Sequence, residues 1–184
     1  MGKLISSILI ANRGEIALRV IRACKEMKIK SIALYSDEDL RSKHVKSADE
    51  AYYLGPPAPT KSYLNIDRII EIAVSAGAEA IHPGYGFLSE NETFAAKCEE
   101  NRIIFIGPTS EAMALTGDKM KCKEIMKKAE VPTIPGSDDI LEEVDKAVEI
   151  AEEAGYPVLL KSAFGGGGRG IRFANDEKTL REEF

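Results

Sequence analysis

Apolar and polar positions alternate along the chain in blocks that predict strands and helices in turn. Five apolar runs have the length of a strand, and helical patterns lie between most of them. The predicted strands are 8–11, 31–35, 51–54, 80–82 and 103–106. Because strands that alternate with helices usually pair in parallel, this order predicts an α/β fold with a parallel sheet covered by helices.

The first helix is predicted from a single apolar side. Its apolar residues recur at i, i+4, i+7, i+8 and i+11, which is typical of a surface helix packed on a sheet. They are Ile16, Val20, Ala23, Cys24 and Met27. Two more helices are predicted at 66–76, closed by Gly77, and at 90–101, with Ser89 as the N-cap.

The pattern changes after residue 107. The predicted elements there are helices at 111–115, 118–129 and 141–154, strands at 157–161 and 171–174, and a last helix opened by Asn175 or Asp176. Prolines and glycines at 131–136 indicate a linker and a domain boundary. Two strands are too little sheet to complete a core, so we expect the chain to be part of a longer protein.

Charge and hydropathy limit the classes of partner that the protein is expected to bind. Charged residues make up 30% of the 184 residues, are mixed in sign and give a net charge of −5, so no broad positive field is available for nucleic acid. No apolar run approaches the roughly 18 residues of a membrane span, which predicts a protein that does not enter membranes. The widely spaced Cys24, Cys98 and Cys122 fit a reducing cytoplasm, and we expect them to be buried apolar residues.

The strongest chemical signal is a glycine run between two predicted strands. Gly165, Gly166, Gly167 and Gly168 are consecutive, and their N–H groups could wrap a polyphosphate without steric hindrance from Cβ atoms. Lys161, at the end of a predicted buried strand, and Arg169 could add positive charge. No Gly-Lys-Ser/Thr follows the glycines, so this is not a Walker A loop, and the flanking strands argue against a flexible linker.

The first strand is not followed by a dinucleotide fingerprint. Residues 11–15 contain one glycine where G-x-G-x-x-G would be needed. Asp37 and Asp39 follow the second strand, where a ribose-binding acid would lie, but acidic turn residues are common there. Nicotinamide binding is therefore not expected.

A second candidate site runs from a strand end into a helix start at 80–91. Gly84 and Gly86 flank Tyr85 and leave room for a flat molecule, and Glu90 could accept a hydrogen bond from it. A tight turn with a core tyrosine and a capping glutamate is the alternative.

A third candidate is Lys119, in the first turn of a helix that Asp118 would cap. A cation is slightly unfavourable near a helix N-terminus, so Lys119 indicates either an anionic ligand or a solvated side chain.

These stretches together resemble the biotin carboxylase family, the subunit or domain of acetyl-CoA, propionyl-CoA and pyruvate carboxylases. The resemblance extends over essentially the whole chain, and its motifs are long and specific. They are residues 10–17, 61–65, 81–91, 105–108, 117–119 and the glycine loop. Phe164 departs from the family, because many members have a further glycine there, and this puts the closing motion of the loop in question.

The resemblance implies a fold and a domain order. It implies a Rossmann-like, parallel-sheet pre-ATP-grasp domain at 1–107 and a helical linker at 108–135. The start of the small ATP-grasp subdomain, truncated, would follow at 136–184. The remainder of the ATP-grasp fold would lie beyond this chain.

The resemblance also implies an activity and its ligands. Members are ligases that use ATP, Mg²⁺ or Mn²⁺ and bicarbonate to carboxylate carrier-bound biotin through carboxyphosphate. Lys119 and Lys161 would contact ATP phosphates, and Gly165 to Gly168 would close over them. Tyr85 and Gly86 would line the biotin pocket with Glu90 close by. The catalytic and metal-binding residues would lie in the missing part, so this chain alone should bind ATP weakly without turning it over.

The implied partners are a biotin carboxyl carrier protein or domain and a carboxyltransferase subunit. A homodimer is implied when the protein is complete, and Arg19, Arg22 and Glu26 match the family's dimer surface. Pyruvate and acyl-CoA both remain open as the final acceptor. Another ATP-grasp ligase, such as one like carbamoyl phosphate synthetase, and a noncatalytic nucleotide-binding module are the alternatives.

Overall fold

The structure, a computed structural model, describes residues 4–117, 119–137, 139–162 and 170–184, and only the backbone of 119–121. The chain forms two compact units, Met1–Gly117 and Asp118–Phe184. The finer boundaries expected at 107/108 and 135/136 stay predictions.

The first unit is built on a five-stranded parallel sheet, which confirms the predicted α/β class. Its strands are β1 (Ser7–Ile10), β2 (Lys30–Ser36), β3 (Glu50–Gly55), β4 (Ala80–His82) and β5 (Ile104–Phe105). Their order across the sheet is β3-β2-β1-β4-β5. The chain therefore moves outward from β1 to β3 and returns to the other side of β1 with β4. A sheet of this kind binds ligands where its strand order reverses, which here is between β1 and β4.

Helices cover both faces of this sheet. They are α1 (Gly14–Glu26), α2 (Lys43–Ser47), α3 (Ile66–Ser75), α4 (Glu92–Glu100) and α5 (Ser110–Gly117), with 3₁₀ turns at Asp37–Asp39 and Pro59–Lys61. Successive strand residues point to opposite faces. Leu9 accordingly packs with core residues of α3 and α4, whereas Ile8 and Ile10 pack against α1. Burial on both faces explains why Ile8, Leu9 and Ile10 are all apolar.

The predicted apolar side of α1 is partly wrong. The buried residues are Ala17, Val20, Ile21 and Cys24, at i, i+3, i+4 and i+7. Ala23 precedes Cys24 by one residue, about 100° around the helix, and is exposed. Met27 is 68% exposed because the helix ends at Glu26, before a further turn can pack.

The predicted start of α4 at residue 90 is also wrong. Asn91 is the N-cap, since its side-chain oxygen accepts a 2.8 Å hydrogen bond from the backbone N–H of Phe94. Ser89 lies in the preceding turn, where its own N–H donates to the Gly86 carbonyl. The turn continues to Asn91 and delays the helix by two residues.

The second unit contains α6 (Lys119–Lys128), α7 (Val144–Ala154), β6 (Val158–Lys161), β7 (Ile171–Ala174) and α8 (Glu177–Glu183). Asp176 caps α8, as predicted, by accepting from the N–H of Thr179 at 2.7 Å. α7 begins three residues later than predicted. β6 and β7 form an antiparallel pair.

One face of this pair is open, and the prediction of a fully buried β6 is wrong. Val158 and Leu160 pack with α7 and α8. Leu159 is 48% exposed and its cross-strand neighbour Phe173 is 68% exposed. Lys161 is exposed on the same face as Leu159, because alternate residues of a strand point the same way.

The three cysteines are free, and their environments differ. Cys24 and Cys98 are buried, as predicted, whereas Cys122 is only partly buried. Burial raises the pKa of both buried thiols, that of Cys98 to about 12.

The described ranges contain neither a metal-ligand cluster nor a membrane-spanning helix. No group of three or more His, Cys, Asp or Glu side chains there lies close enough together to hold a metal ion. No helix there is long and apolar enough to span a membrane.

Candidate functional site

The reversal of strand order places two segments side by side at the carboxyl edge of the sheet. β1 continues into Asn12 and Arg13, and β4 continues into the loop that contains Tyr85. The backbone of the two segments stays paired beyond the strands, since the N–H of Ala11 donates to the His82 carbonyl at 2.9 Å. The crevice at this point is the place where a parallel sheet binds its ligand.

A buried amide joins the two segments. Nδ2 of Asn12 donates 2.8 Å hydrogen bonds to the carbonyl oxygens of both Pro83 and Tyr85. Oδ1 of Asn12 accepts from the N–H of Arg13 at 2.9 Å. Both amide protons and the amide oxygen are thus satisfied in a side chain that is 4% exposed.

The loop needs glycine at its two turning points. Gly84 and Gly86 have φ values of +68° and +65°, which L-residues rarely adopt. A Cβ on Gly84 would also lie 2.7 Å from Nδ2 of Asn12. Nδ1 of His82 accepts a 3.0 Å hydrogen bond from the N–H of Gly84, and burial lowers the pKa of His82. The imidazole is therefore a neutral acceptor that orients the start of the loop.

Tyr85 lies at the rim of the crevice and is not the core tyrosine of the alternative interpretation. Its side chain is 60% exposed, and its hydroxyl donates to Oε1 of Glu15 in the first turn of α1. This hydrogen bond raises the pKa of Tyr85. Glu90 does not cap α4, because Asn91 does. It is exposed and forms no hydrogen bond or ion pair with the residues that the structure describes.

An arginine packed on two aromatic rings supports the loop from the other side. The guanidinium of Arg13 lies 5.8 Å from the ring centroids of both Tyr63 and Phe87. These two rings stack with centroids 5.2 Å apart. Phe87 has a φ of +42°, an uncommon backbone conformation for a bulky residue, and the stack holds it there.

A buried carboxylate completes this support. Asp39 accepts hydrogen bonds from the hydroxyls of Ser36 at 2.6 Å and Tyr63 at 2.8 Å, with Arg13 at 4.0 Å. Burial acts to raise the pKa of Asp39, but these hydrogen bonds and the arginine outweigh it and hold the pKa below its usual range. Asp39 therefore has a structural role, at the position where a dinucleotide-binding protein would present a ribose-binding acid.

The predicted phosphate site is only partly described. Gly165, Gly166, Gly167, Gly168 and Arg169 lie outside the described residues, as do Phe164 and the side chain of Lys119. Lys161 ends β6, directly before the loop, and its ammonium is exposed. The two ends of the loop meet where the N–H of Ser162 donates to the Gly170 carbonyl at 3.0 Å.

Sequence reasoning missed the residues that hold the site together. Asn12 and Arg13 stood out only as members of the motif at 10–17, and no role was predicted for Tyr63. One signal was available, since Asn12 and Arg13 are polar residues directly after the apolar run 8–11. A polar residue at that position lies at the carboxyl edge of the sheet, where parallel sheets bind their ligands.

The fold defines an α/β protein of the Rossmann-like class, with a candidate ligand site at its topological switch point. A family model described as the N-terminal domain of biotin carboxylase matches residues 4–113. A second model, the ATP-binding domain of the carbamoyl-phosphate synthase L chain, matches residues 118–184. The chain belongs to the biotin carboxylase family.

Curated relatives and solved structures agree with this assignment. The chain is 58% identical to the 2-oxoglutarate carboxylase small subunit of Hydrogenobacter thermophilus, over 94% of this chain and 36% of that one. It is 51% identical to biotin carboxylase 1 of Bacillus subtilis, over 96% of this chain and 39% of that one. The chain thus spans little more than a third of these relatives.

A crystal structure of the biotin carboxylase domain dimer of the Hydrogenobacter enzyme, with MgADP, ADP and bicarbonate, superposes with a TM-score of 0.87. It is 55% identical, over 98% of this chain and 40% of that one. These comparisons do not favour the carbamoyl phosphate synthetase-like or noncatalytic alternatives.

Proposed function

We propose that this chain is the N-terminal segment of a longer biotin carboxylase, a ligase that uses ATP and bicarbonate to carboxylate biotin on a carrier protein. The observation that carries the proposal is the match of residues 4–113 to the biotin carboxylase N-terminal domain. The reversal of strand order between β1 and β4 supports it, since a ligand site is expected at the carboxyl edge of the sheet there.

ATP is proposed to bind the second unit through its phosphates. Lys119 and Lys161 would contact the phosphates, and Gly165 to Gly168 would cover them. Lys161 supports this proposal because it is exposed beside the glycine loop and forms no ion pair within the described residues. An ammonium with no carboxylate partner is well placed to bind a polyphosphate.

The proposed reaction begins with attack of bicarbonate on the γ-phosphate of ATP, which gives carboxyphosphate and ADP. Carboxyphosphate then breaks down to CO₂ and inorganic phosphate, and the ureido nitrogen of biotin loses its proton as it bonds to the CO₂ carbon. Mg²⁺ or Mn²⁺, when bound, would supply charge neutralisation for the phosphoryl transfer. By the family resemblance, we assign the ligands of this ion and the bicarbonate-binding groups to the rest of the longer protein.

Biotin is proposed to enter the crevice with its flat ring system against Tyr85 and Gly86, and with Glu90 beside it. The exposed phenol ring and the lack of a side chain at Gly86 support this placement. A flat ligand can approach glycine backbone closely.

The proposed partners follow from the same assignment. They are a biotin carboxyl carrier protein or domain, a carboxyltransferase subunit and a second copy of the full-length protein. Arg19, Arg22 and Glu26 are exposed on α1 and are proposed to form the dimer surface. A cytoplasmic location stays a prediction.

The test is ADP formation by the full-length gene product with Mg-ATP, given bicarbonate alone, biotin alone, or both. We expect turnover that needs bicarbonate and rises strongly with biotin. Turnover indifferent to biotin would overturn the assignment and the roles of Tyr85 and Gly86. The 184-residue chain, tested alone, should release no ADP over multiple turnovers.

Two lysine variants test the phosphate site. Lys161→Met should raise the KM for ATP, because it removes the ammonium beside the loop. Lys178→Met is the matched control, since Lys178 is exposed on α8 and lies 3.9 Å from Glu182. Equal KM values for the two variants would contradict the role of Lys161.

A further inference from the structure

The amide of Asn12 is the only group in the described residues that bonds the backbone on both sides of Gly84. It donates to the carbonyl before Gly84 and to the carbonyl after it, each at 2.8 Å. We propose that Asn12 is a positioning residue for the biotin pocket, which it shapes by fixing the peptide between Tyr85 and Gly86. This inference rests on the proposed function.

The geometry of the Tyr85–Gly86 peptide connects Asn12 with the proposed ligand. The Tyr85–Gly86 bond is trans, so its N–H points away from its carbonyl oxygen. Because that carbonyl points inward to Asn12, the N–H of Gly86 points outward. Gly86 is exposed, and its N–H has no hydrogen-bond partner among the residues that the structure describes. The Asn12 amide thus fixes a backbone donor that faces away from Asn12, is exposed, and could donate to a ligand lying against Gly86.

The Tyr85 side chain is held at both ends by residues that flank the start of α1. Asn12 fixes its backbone, and Glu15 accepts from its hydroxyl. Both anchors precede or open the same helix, so the ring has a defined position although it is exposed. A binding surface that is ordered before the ligand arrives loses less entropy on binding.

The decisive variant is Asn12→Asp in the full-length protein. Aspartate keeps the size and the oxygen that accepts from the N–H of Arg13 at 2.9 Å. It replaces the NH₂ group with a second oxygen that faces two carbonyl oxygens. We expect the KM for free biotin to rise about tenfold or more, the size of effect that loss of buried hydrogen bonds gives. The KM for ATP should change by less than about twofold, because Asn12 is not among the residues proposed to contact ATP.

Asn65→Asp is the matched control. The Asn65 side chain accepts from the N–H of Arg68 as the N-cap of α3, and aspartate caps equally well. This variant has the same change of atoms and charge, so its KM for biotin should equal that of the parent.

The outcomes separate the two hypotheses. A parent protein without biotin-dependent turnover overturns the proposed function and this inference with it. A biotin-dependent parent whose folded Asn12→Asp variant keeps its KM for biotin overturns this inference alone. Equal increases in the KM values for ATP and biotin also overturn it, since they report general damage. Should Asn12→Asp fail to fold by circular dichroism, Asn12→Ser, which cannot bridge both carbonyls, is measured in the same way.

Discussion

The buried hydroxyl of Tyr63 donates a 2.8 Å hydrogen bond to Oδ2 of Asp39, which lies 24 residues earlier in the chain. This hydrogen bond connects the 3₁₀ turn after β2 with the segment that precedes α3. Arg13 lies over the same tyrosine ring and connects this support to the crevice. The candidate site therefore rests on a polar network inside the first unit.

Removing the Tyr63 hydroxyl should destabilise the first unit. In Tyr63→Phe, Asp39 stays buried and loses one of its donors, so the free energy of unfolding should fall by about 1–3 kcal/mol. Urea denaturation followed by circular dichroism measures the change. Tyr53→Phe is the control, since Tyr53 is 45% exposed and its loss should stay within about 0.5 kcal/mol. Equal losses would contradict the importance of the buried bond.

The same carboxylate predicts a pH dependence. Because the folded-state pKa of Asp39 is lowered, the protein in its unfolded state binds more protons as the pH falls. The stabilisation is present above about pH 3.9, the unfolded pKa, and is lost as the pH falls through the folded pKa. Asp39→Asn should thus be less stable than the parent at pH 7. The difference in unfolding free energy should shrink as the pH is lowered below about 4, and a constant difference would contradict the assignment.

Gly84→Ala should cost more stability than the same change at another left-handed glycine. Gly77 has a φ of +65° and open space where a Cβ would lie, so Gly77→Ala should lose about 1 kcal/mol through backbone strain. At Gly84 the new methyl group would also collide with the Asn12 amide, which should add at least about 1 kcal/mol. Thermal denaturation of both variants gives the comparison. Similar losses would show that the Asn12 contact is not tight.

Thiol reactivity should distinguish the cysteines. Cys122 is partly exposed and should react with Ellman's reagent in the native protein. Cys24 and Cys98 are buried with raised pKa values, and should react only when the protein is unfolded. Titration of the parent and of Cys122→Ser checks this, and fast reaction of the native Cys122→Ser variant would contradict it.

Much of the fold was predictable because its signals are local. β1, β2 and β4 are largely buried and β3 is partly buried, polar segments separate the four strands, and each was predicted within one or two residues. The start of α4 was not, because it depends on two residues in a left-handed turn, Gly86 and Phe87. The open face of β6 was not predictable either, since an apolar run does not reveal what covers each side.

The exposed residues of the candidate site could be singled out from the sequence. Gly84, Tyr85 and Gly86 stood out because glycines around an aromatic residue at a strand end are unusual. Asn12 did not, because its partners are backbone carbonyls more than 70 residues away, which carry no sequence signal. Hydrogen bonds from a side chain to distant backbone groups can be predicted only when the strand order is known.

The pairing of β1 with β4 sets the order in which the molecule can assemble. The other pairs of neighbouring strands in this sheet are joined by one helical crossover or a short segment. β1, in contrast, pairs with β4, which lies about 72 residues later in the chain. Closing so long a loop is an entropically demanding, slow step. Asn12 can find its carbonyl partners only after that closure. On a ribosome, the candidate site would therefore stay unformed until β4 has emerged, although Asn12 is made well before that strand.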